Sequence, residues 1–187
     1  MSERALVLVK PDGVQRALIG KVVARFEEAG LKVVGIKMVQ PTAKQTGEHY
    51  AEDKEWLLSV GKKLKKSNDE KGIPTKETEL QIGMRVRSLL MKELSSTPVV
   101  AIVFEGNAAN DVARKIAGAT EPRKADPSTI RGSFSTDTYG AADAAKRPVR
   151  NIVHVSEDKK AADREIKVWF AANELHKYKR CDEGVIV

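Results

Sequence analysis

Four short apolar runs alternate along the chain with stretches whose apolar residues recur every three or four positions. The runs are rich in aliphatic and β-branched residues, and they predict strands at residues 5–9, 31–40, 98–105 and 151–155. The spaced apolar residues predict helices, because steps of three and four place side chains on one helix face. The resulting order predicts an α+β sandwich, in which helices cover one face of a single sheet.

The chain between the second and third predicted strands is mainly helical. A short helix begins at Thr42, where Gln45 has the spacing of a capping box, and it carries His49 and Tyr50. Two apolar stripes follow, formed by Trp56, Leu57, Val60 and Leu64 and then by Ile82, Val86, Leu89, Leu90 and Leu94. The polar segment 67–76 joins them, so we predict a helical hairpin whose apolar faces pack together.

The last third of the chain is less regular. Asn107 is in a position to cap a helix that runs to about residue 117, and segment 118–150 has little periodicity. Loops of such length are usually functional. A final helix is predicted from Ser156 to near Glu174, and the apolar terminus 185–187 is predicted to pack on a neighbouring subunit.

Composition narrows the class of protein. The 187 residues include 33 Lys and Arg against 26 Asp and Glu, and the resulting net charge of +7 favours an anionic ligand without identifying nucleic acid. The single cysteine, Cys181, excludes an internal disulfide and a multi-cysteine metal site. No apolar run is long enough for a membrane span, and the start of the chain lacks the pattern of a signal peptide. We therefore expect a cytoplasmic α/β protein.

Residues suited to bind phosphate occur singly at the ends of predicted elements. A P-loop motif is absent from the sequence. Instead Lys10, Arg114 and Arg131 lie near Thr120 and Asn151 in the predicted arrangement. Guanidinium groups match phosphate oxygens, so this set suits a polyphosphate, although any one of these cations is more often part of a surface ion pair.

His154 stands alone in the last predicted strand. Glu165 follows eleven residues later, in the final helix. This carboxylate could hold one imidazole nitrogen and leave the other free as a nucleophile. A lone histidine is more often structural, so the residue pattern by itself leaves both roles open.

Four segments, taken together and in this order, resemble the nucleoside diphosphate kinase family. They read ALVLVKPDG at 5–13, GATEP at 118–122, STIRG at 128–132 and NIVHVS at 151–156. The spacing of Arg114, Thr120 and Arg131, six and then eleven residues, also matches the family's phosphate-binding set. The resemblance covers nearly the whole chain, apart from about 55–97 and an enlarged loop before Asn151.

The resemblance implies a fold and an activity. The fold is the ferredoxin-like α/β sandwich with a four-stranded antiparallel sheet, here as a single domain of residues 1–187 with a helical insertion at about 55–97. The activity is transfer of the terminal phosphate of a nucleoside triphosphate to a nucleoside diphosphate, by a ping-pong mechanism through a phosphohistidine. Mg²⁺ is the implied cofactor, held by nucleotide phosphates and water rather than by a protein metal site. The implied assembly is a homo-oligomer, a hexamer or a tetramer.

The family's functional residues carry over to matching positions. His154 matches the phosphorylated histidine, Glu165 its orienting carboxylate and Tyr50 the tyrosine beside it. Lys10 and Asn151 match the residues that bind the ribose hydroxyls, and Lys10 also approaches the transferred phosphate. The residues that match the phosphate ligands are Arg114, Thr120 and Arg131.

Two departures from the family pattern affect the expected site. The family's phenylalanine that stacks on the base would fall at Leu58, and Trp56 is the alternative. We therefore expect Trp56 or Leu58 to contact the base. The hairpin is expected to form one wall of the base pocket. Lysines within 62–66 are expected to face solvent. Glu121 replaces an asparagine in a loop that touches neighbouring subunits, which we expect to be a surface change.

A different class of protein also fits part of the sequence. The positive charge and the lysine run leave open a non-catalytic protein that binds nucleic acid or nucleotide. An RNA-recognition motif and interleaved aromatic residues are absent from the sequence, so we do not expect a nucleic-acid partner. A coupled phosphotransferase assay separates the two classes.

Overall fold

The structure, a computed structural model, describes residues 2–70 and 72–186. Four strands form one antiparallel sheet in the order β2-β3-β1-β4, which confirms the predicted α+β fold with a four-stranded antiparallel sheet. The strands are β1 (Glu3–Val9), β2 (Lys32–Val39), β3 (Val99–Gly106) and β4 (Val153–Val155).

Helices connect and cover these strands. They are α1 (Pro11–Gln15), α2 (Ile19–Glu28), α3 (Ala43–His49), α4 (Lys54–Glu70), α5 (Glu79–Leu94), α6 (Ala109–Ala117), α7 (Ile130–Phe134), α8 (Tyr139–Ala144), α9 (Lys159–Trp169) and α10 (Glu183–Ile186). Short 3₁₀ turns occupy Pro122–Lys124 and Ala172–Glu174. Within the described residues, none of these helices has the length and apolar character needed to cross a membrane.

Helices cover both faces of the sheet, so the prediction that they cover one face is wrong. In β1, Val7 belongs to an apolar cluster with residues of α2 and α6. Its neighbours Leu6 and Leu8 belong to a second cluster, with Ile166 and Trp169 of α9. Successive side chains of a strand point to opposite faces. Because β1 is apolar at consecutive positions, both faces need a covering layer.

Helices α4 and α5 form the predicted hairpin, and Leu57, Ile82 and Leu94 of the predicted apolar stripes are buried. Leu57 and Gly61 are the buried residues of α4, whereas Trp56 is half-buried. A Cβ atom at Gly61 would lie 1.8 Å from the Glu79 carbonyl oxygen, and one at Gly83 would lie 2.2 Å from that of Leu57. The two backbones therefore approach each other at glycines, a contact that apolar periodicity does not reveal.

The connection within the hairpin is shorter than predicted. Helix α4 continues to Glu70, inside the segment predicted as a turn. Thr78 then begins α5: its side chain accepts from the Gln81 N–H, and the Gln81 side chain accepts from the Thr78 N–H. This capping box was missed in the sequence, although it has the same spacing as the one at Thr42.

Two other helix boundaries differ from the predictions. Ala108, in a left-handed conformation with φ of 46°, precedes α6, so Asn107 is not the cap. Asp158, rather than Ser156, caps α9 by accepting from the Ala161 N–H at 2.7 Å. Helix α9 ends at Trp169, and the predicted end near residue 174 lies in the second 3₁₀ turn.

The C-terminal tail returns along the edge strand β2. The His176 N–H donates to the Val34 carbonyl at 2.7 Å, and the Tyr178 hydroxyl donates to a second β2 carbonyl at 2.7 Å. These contacts cover part of an exposed strand edge, a common protection against unwanted pairing. Val185 is exposed and Val187 lies outside the described residues, so packing of the terminus on a neighbour stays a prediction.

Candidate active site

A cavity of about 660 Å³ lies beside β4 and the end of β1. Seven of the residues predicted to form the site line it: Lys10, Tyr50, Arg114, Thr120, Arg131, Asn151 and His154. They come from separate segments of the chain, which the sheet and its loops bring together. The size suits a small ligand, and the cations indicate an anionic one.

His154 lies in β4 opposite Leu8 of β1. Its Nε2 is 2.9 Å from Oε2 of Glu165, which is on α9. This is the hydrogen bond that the eleven-residue spacing predicted as one possibility. Among the described residues, the His154 ring makes no other hydrogen bond. Its Nδ1 is therefore the nitrogen available to a ligand in the cavity.

The Glu165 carboxylate is buried, and both of its oxygens take part in hydrogen bonds. Its Oε2 also accepts from the Ser156 hydroxyl at 2.8 Å, and its Oε1 accepts from Nη2 of Arg164 at 3.1 Å. Burial opposes the charged form, but the hydrogen bond and charge of His154, with smaller contributions from neighbouring groups, lower the pKa of Glu165 to about 2. The carboxylate is therefore ionised at neutral pH and fixes the orientation of the His154 ring.

His49 is a second histidine at the site, and no sequence pattern indicated its role. Its ring meets that of His154 edge-on, with centroids 4.4 Å apart, and its Nδ1 accepts from Nε1 of Trp169 at 3.2 Å. His49 is 3% exposed. Burial and the neighbouring His154 lower its pKa to about 3, so this ring is neutral at physiological pH.

A strained turn leads into β4. Ile152 has a φ of 69°, which is rare for a β-branched residue, and the Val153 N–H donates to the Asn151 carbonyl at 2.7 Å across it. The Ile152 N–H donates to Oδ2 of Asp12 at 2.9 Å, and its carbonyl accepts from the Lys10 N–H at 2.8 Å. The Lys-Pro-Asp-Gly segment thus holds this turn from both sides.

Lys10 lines the cavity and is 4% exposed. Its Nζ donates to Oδ1 of Asn151 at 3.1 Å and forms an ion pair with Glu93 of α5 at 3.4 Å. The Asn151 side chain donates in turn to the Thr120 carbonyl at 2.9 Å. Burial raises the pKa of Glu93 even though Lys10 opposes this. Glu93 is a partner that the sequence did not indicate.

The two arginines of the cavity are held differently. Arg131 donates from Nη1 to the Gly118 carbonyl at 2.6 Å and from Nη2 to the Val153 carbonyl at 2.9 Å, while its buried Nε has no partner among the described residues. Burial lowers the pKa of Arg131 to about 10, which leaves it charged at neutral pH. Arg114 is exposed and donates to the Glu157 carbonyl at 2.9 Å.

Glu121 is buried, so the expected surface change is wrong. It is 8% exposed, its Oε1 accepts from the Tyr139 N–H at 3.0 Å, and its Oε2 pairs with Lys124 at 3.2 Å. The carboxylate therefore satisfies one free N–H at the start of α8, next to the N-cap residue Thr138. The sequence could not show this, because α8 has no apolar periodicity that would mark it as a helix.

The hairpin contributes less to the cavity wall than predicted. Leu90 of α5 lines the cavity, whereas Trp56 and Leu58 are not among its lining residues. The Trp56 N–H donates to Oδ1 of Asp53 at 2.7 Å, at the beginning of α4. Contact of Trp56 or Leu58 with a base therefore stays a prediction.

Comparison with known proteins gives consistent matches. The family model for nucleoside diphosphate kinase matches residues 3–58 and 84–175. The chain is 39% identical to the nucleoside diphosphate kinase of Pyrobaculum aerophilum, over 92% of this chain and 97% of the relative. It is 38% identical to that of Pyrococcus abyssi, over 97% of this chain and 92% of the relative.

Solved structures give the same result. An NDP kinase from Pyrobaculum aerophilum superposes with a TM-score of 0.91 at 37% identity, covering 95% of this chain and all of that one. A nucleoside-diphosphate kinase from Borrelia burgdorferi, described as a transition state mimic with bound vanadate and ADP, gives a TM-score of 0.79 at 36% identity. That match covers 97% of this chain and 95% of the other.

Proposed function

The chain belongs to the nucleoside diphosphate kinase family and is a phosphotransferase, and from this premise we propose that His154 carries the phosphoryl group between two nucleotides. The observation that carries this assignment is the hydrogen bond between the buried Glu165 and Nε2 of His154, a histidine that lines a cavity together with several cations. It orients the ring with Nδ1 available as the nucleophile.

In the first half-reaction the lone pair of His154 Nδ1 attacks the terminal phosphorus of a nucleoside triphosphate. The bond between that phosphorus and the bridging oxygen breaks, and the diphosphate leaves with the electron pair. Positive charge then develops on the imidazole ring, whose Nε2–H remains hydrogen-bonded to Glu165. The ionised carboxylate stabilises that charge where it forms.

The cations of the cavity stabilise the phosphate oxygens. Arg114, Arg131 and Lys10 place positive charge around the cavity, and Thr120 adds a hydroxyl donor. Phosphoryl transfer needs mainly positioning and charge stabilisation from the protein. Lys10 and Asn151, which are hydrogen-bonded to each other, are proposed to bind the ribose hydroxyls, as the family resemblance implies.

In the second half-reaction a terminal phosphate oxygen of a nucleoside diphosphate attacks the phosphorus of the phosphohistidine. The bond between phosphorus and Nδ1 breaks, and its electron pair returns to the His154 ring. Both nucleotides use one cavity in turn, so we expect ping-pong kinetics. The hairpin contributes the apolar side chain of Leu90 to the described lining of the cavity, and an apolar contact does not distinguish one base from another. We therefore propose broad tolerance of the base.

Mg²⁺ fits this site as an ion carried by the nucleotide. The carboxylates that line the cavity are Asp111 and Glu157, and they could contact the ion through water. The nearby group His49, His154 and Glu165 offers two nitrogens, whereas Mg²⁺ prefers oxygen ligands. When bound, Mg²⁺ would neutralise charge on the transferred phosphate.

We also propose that the chain assembles as a homo-oligomer, a hexamer or a tetramer. Ile36 and Met38 on the edge strand β2 are 50% and 58% exposed, and exposed apolar residues on a strand edge favour association. Sedimentation at working concentration tests this proposal, and a monomer of about 20 kDa would contradict it.

The other predictions concern organisation and location. The family match supports a single domain with an insertion, and the unmatched residues 59–83 fall within the predicted range of about 55–97.

Because the chain is a phosphotransferase, we reject the alternative of a non-catalytic binding protein. Lys62, Lys63 and Lys66 are exposed and Lys65 is half-buried, and we still expect no nucleic-acid partner. Location in the cytoplasm stays a prediction that cell fractionation can test.

The decisive test is phosphoenzyme formation with γ-labelled ATP. His154→Ala should abolish acid-labile labelling and the exchange reaction. The matched control is His176→Ala, because His176 is exposed and lies in the tail away from the cavity. Labelled phosphate that persists in the His154 variant would show that another residue is the acceptor.

A further inference from the structure

Helix α3 ends in backbone carbonyls that the helix cannot satisfy. The Tyr50 N–H makes the last hydrogen bond, to the Thr46 carbonyl at 3.0 Å. The carbonyls of residues 47–50 lie beyond it, and no backbone N–H in the described chain bonds to them. Helix α3 is only seven residues long, so partners from elsewhere matter to its position.

Arg87 reaches this helix end from the hairpin. It lies on α5, and its Nε donates to the Tyr50 carbonyl at 2.6 Å while its Nη2 donates to the Gly47 carbonyl at 3.1 Å. One guanidinium edge therefore bridges the first and last of the four carbonyls. A lysine could place a charge there, but it lacks the planar fork that aims two donors.

Arg164 reaches the same helix end from α9. Its Nη1 donates to the Glu48 carbonyl at 2.9 Å and to the His49 carbonyl at 3.2 Å. Its Nη2 holds Oε1 of Glu165, the carboxylate that orients His154. The two arginines together thus satisfy all four free carbonyls, and both bring positive charge to the negative end of the helix dipole.

The residues fixed in this way are the ones that face the nucleophile. His49 packs edge-on against His154 and, at a centroid distance of 4.7 Å, against Tyr50. Tyr50 lines the cavity. A shift of α3 would move both rings relative to His154, and such small misplacements of groups around a reacting centre are costly.

We propose that Arg87 and Arg164 form a clamp on the C-terminus of α3 that positions His49 and Tyr50 for phosphoryl transfer at His154. Both arginines are positioning residues. The clamp makes the transfer rate depend on the position of α5, because Arg87 belongs to that helix. This inference rests on the proposed role of His154 as phosphoryl acceptor.

The first test measures phosphorylation of the enzyme by saturating γ-labelled ATP in a rapid-quench experiment. Arg87→Met and Arg164→Met should slow phosphorylation by about 10- to 100-fold. The corresponding lysine variants should recover part of the rate, since they keep the charge but lose the fork. ADP affinity, measured by calorimetry, should change by less than about threefold, because neither arginine lines the cavity.

Arg85→Met is the matched control. Arg85 lies two residues from Arg87 on the same helix, is exposed, and pairs with Glu77 at 2.9 Å. Its removal should leave phosphorylation at the rate of the parent chain. If Arg85→Met slowed phosphorylation as much as Arg87→Met, loss of any arginine from α5 would suffice to lower the rate. That result would overturn the proposed clamp.

A second measurement separates positioning from general stability. The imidazole resonances of His49, followed by NMR against pH, report its environment, which includes His154, Glu165 and Arg164. Arg87→Met leaves those charged groups in place. Release of α3 should nevertheless raise the pKa of His49 from about 3 toward its ordinary value.

A folded Arg87→Met chain with parental phosphorylation rate and unchanged His49 titration would overturn the proposal. So would a loss confined to ADP affinity. If the methionine variants do not fold, parental rates in both lysine variants would overturn it, whereas reduced rates with normal ADP affinity would support it. Labelling that survives in His154→Ala instead rejects the proposed acceptor, so the two failures are distinguishable.

Discussion

The two sides of the cavity are built by different kinds of contact. On the phosphate side, charged and polar side chains are tied to backbone carbonyls and to each other, as Arg131 is to Gly118 and Val153. On the hairpin side, two helices meet at Gly61 and Gly83, and Leu90 reaches the cavity. Directed hydrogen bonds define the first side, and close packing of backbone defines the second.

Under the proposed function, the difference corresponds to what each side would bind. Phosphate oxygens need donors at set positions, and a displaced donor loses most of its effect in the transition state. A nucleoside base offers an apolar face that tolerates many kinds of neighbour. The clamp at Arg87 links the two sides, because it joins the hairpin to the helix that carries His49 and Tyr50.

The strongest test of the phosphate side removes Arg131. Arg131→Ala should lower the rate of phosphoryl transfer by about 10²–10³-fold, the usual loss for a charge-stabilising donor. Arg131→Lys should recover only part, because the two-pronged geometry is lost. Arg123→Ala, at an exposed position in the first 3₁₀ turn, is the control. Parental turnover in Arg131→Ala would limit Arg131 to a structural role.

The hairpin side is tested by filling one of its two close backbone contacts, the one at Gly83. Gly83→Ala should lower the free energy of unfolding by about 1–3 kcal/mol, because the added Cβ meets backbone that cannot turn away. Gly20→Ala on α2 is the matched control, since nothing lies within 4 Å of a Cβ built there. Denaturant titration compares the variants. If Gly83→Ala and the parent chain had the same free energy of unfolding, the two helices could move apart without loss of stability.

A smaller effect is expected at Leu90, where the hairpin lines the cavity. Leu90→Ala should weaken binding of all four nucleoside diphosphates by a similar factor of roughly fivefold, as loss of about 1 kcal/mol of apolar contact implies. The sequence-based prediction assigns the same uniform loss to Trp56→Ala. Calorimetry on both variants decides between them: a larger loss in Trp56→Ala would place that ring against the base.

The pH dependence of stability should report His49. Its folded pKa of about 3 lies below the ordinary value of 6.5, so between these values the unfolded chain binds the proton first. Stability should therefore fall as pH drops from 6.5 to 4.5, by at most about 1.4 kcal/mol per pH unit. His49→Phe should flatten this slope. Below pH 4.5 the lowered pKa values of Glu165 and Asp137 add loss of the same sign.

The sequence by itself determined the strands, the sheet's α+β class and most of the cavity. Apolar runs mark the strands because burial and the two-residue period are local properties. Lys10, Arg131 and Asn151 were found because they stand in short segments with family spacing at element ends. The hydrogen bond between His154 and Glu165 could also be predicted, because β4 and α9 are consecutive elements of the chain.

Only the tertiary structure decided which distant segments meet. Burial of Glu121, the ion pair of Glu93 with Lys10 and the two arginines on α3 all join residues that no local pattern connects. The glycine contact within the hairpin was missed because an apolar stripe marks the face of a helix but not the depth to which it packs. A glycine pair lets two backbones approach where larger side chains would hold them apart, and that distance exists only once both helices are in place.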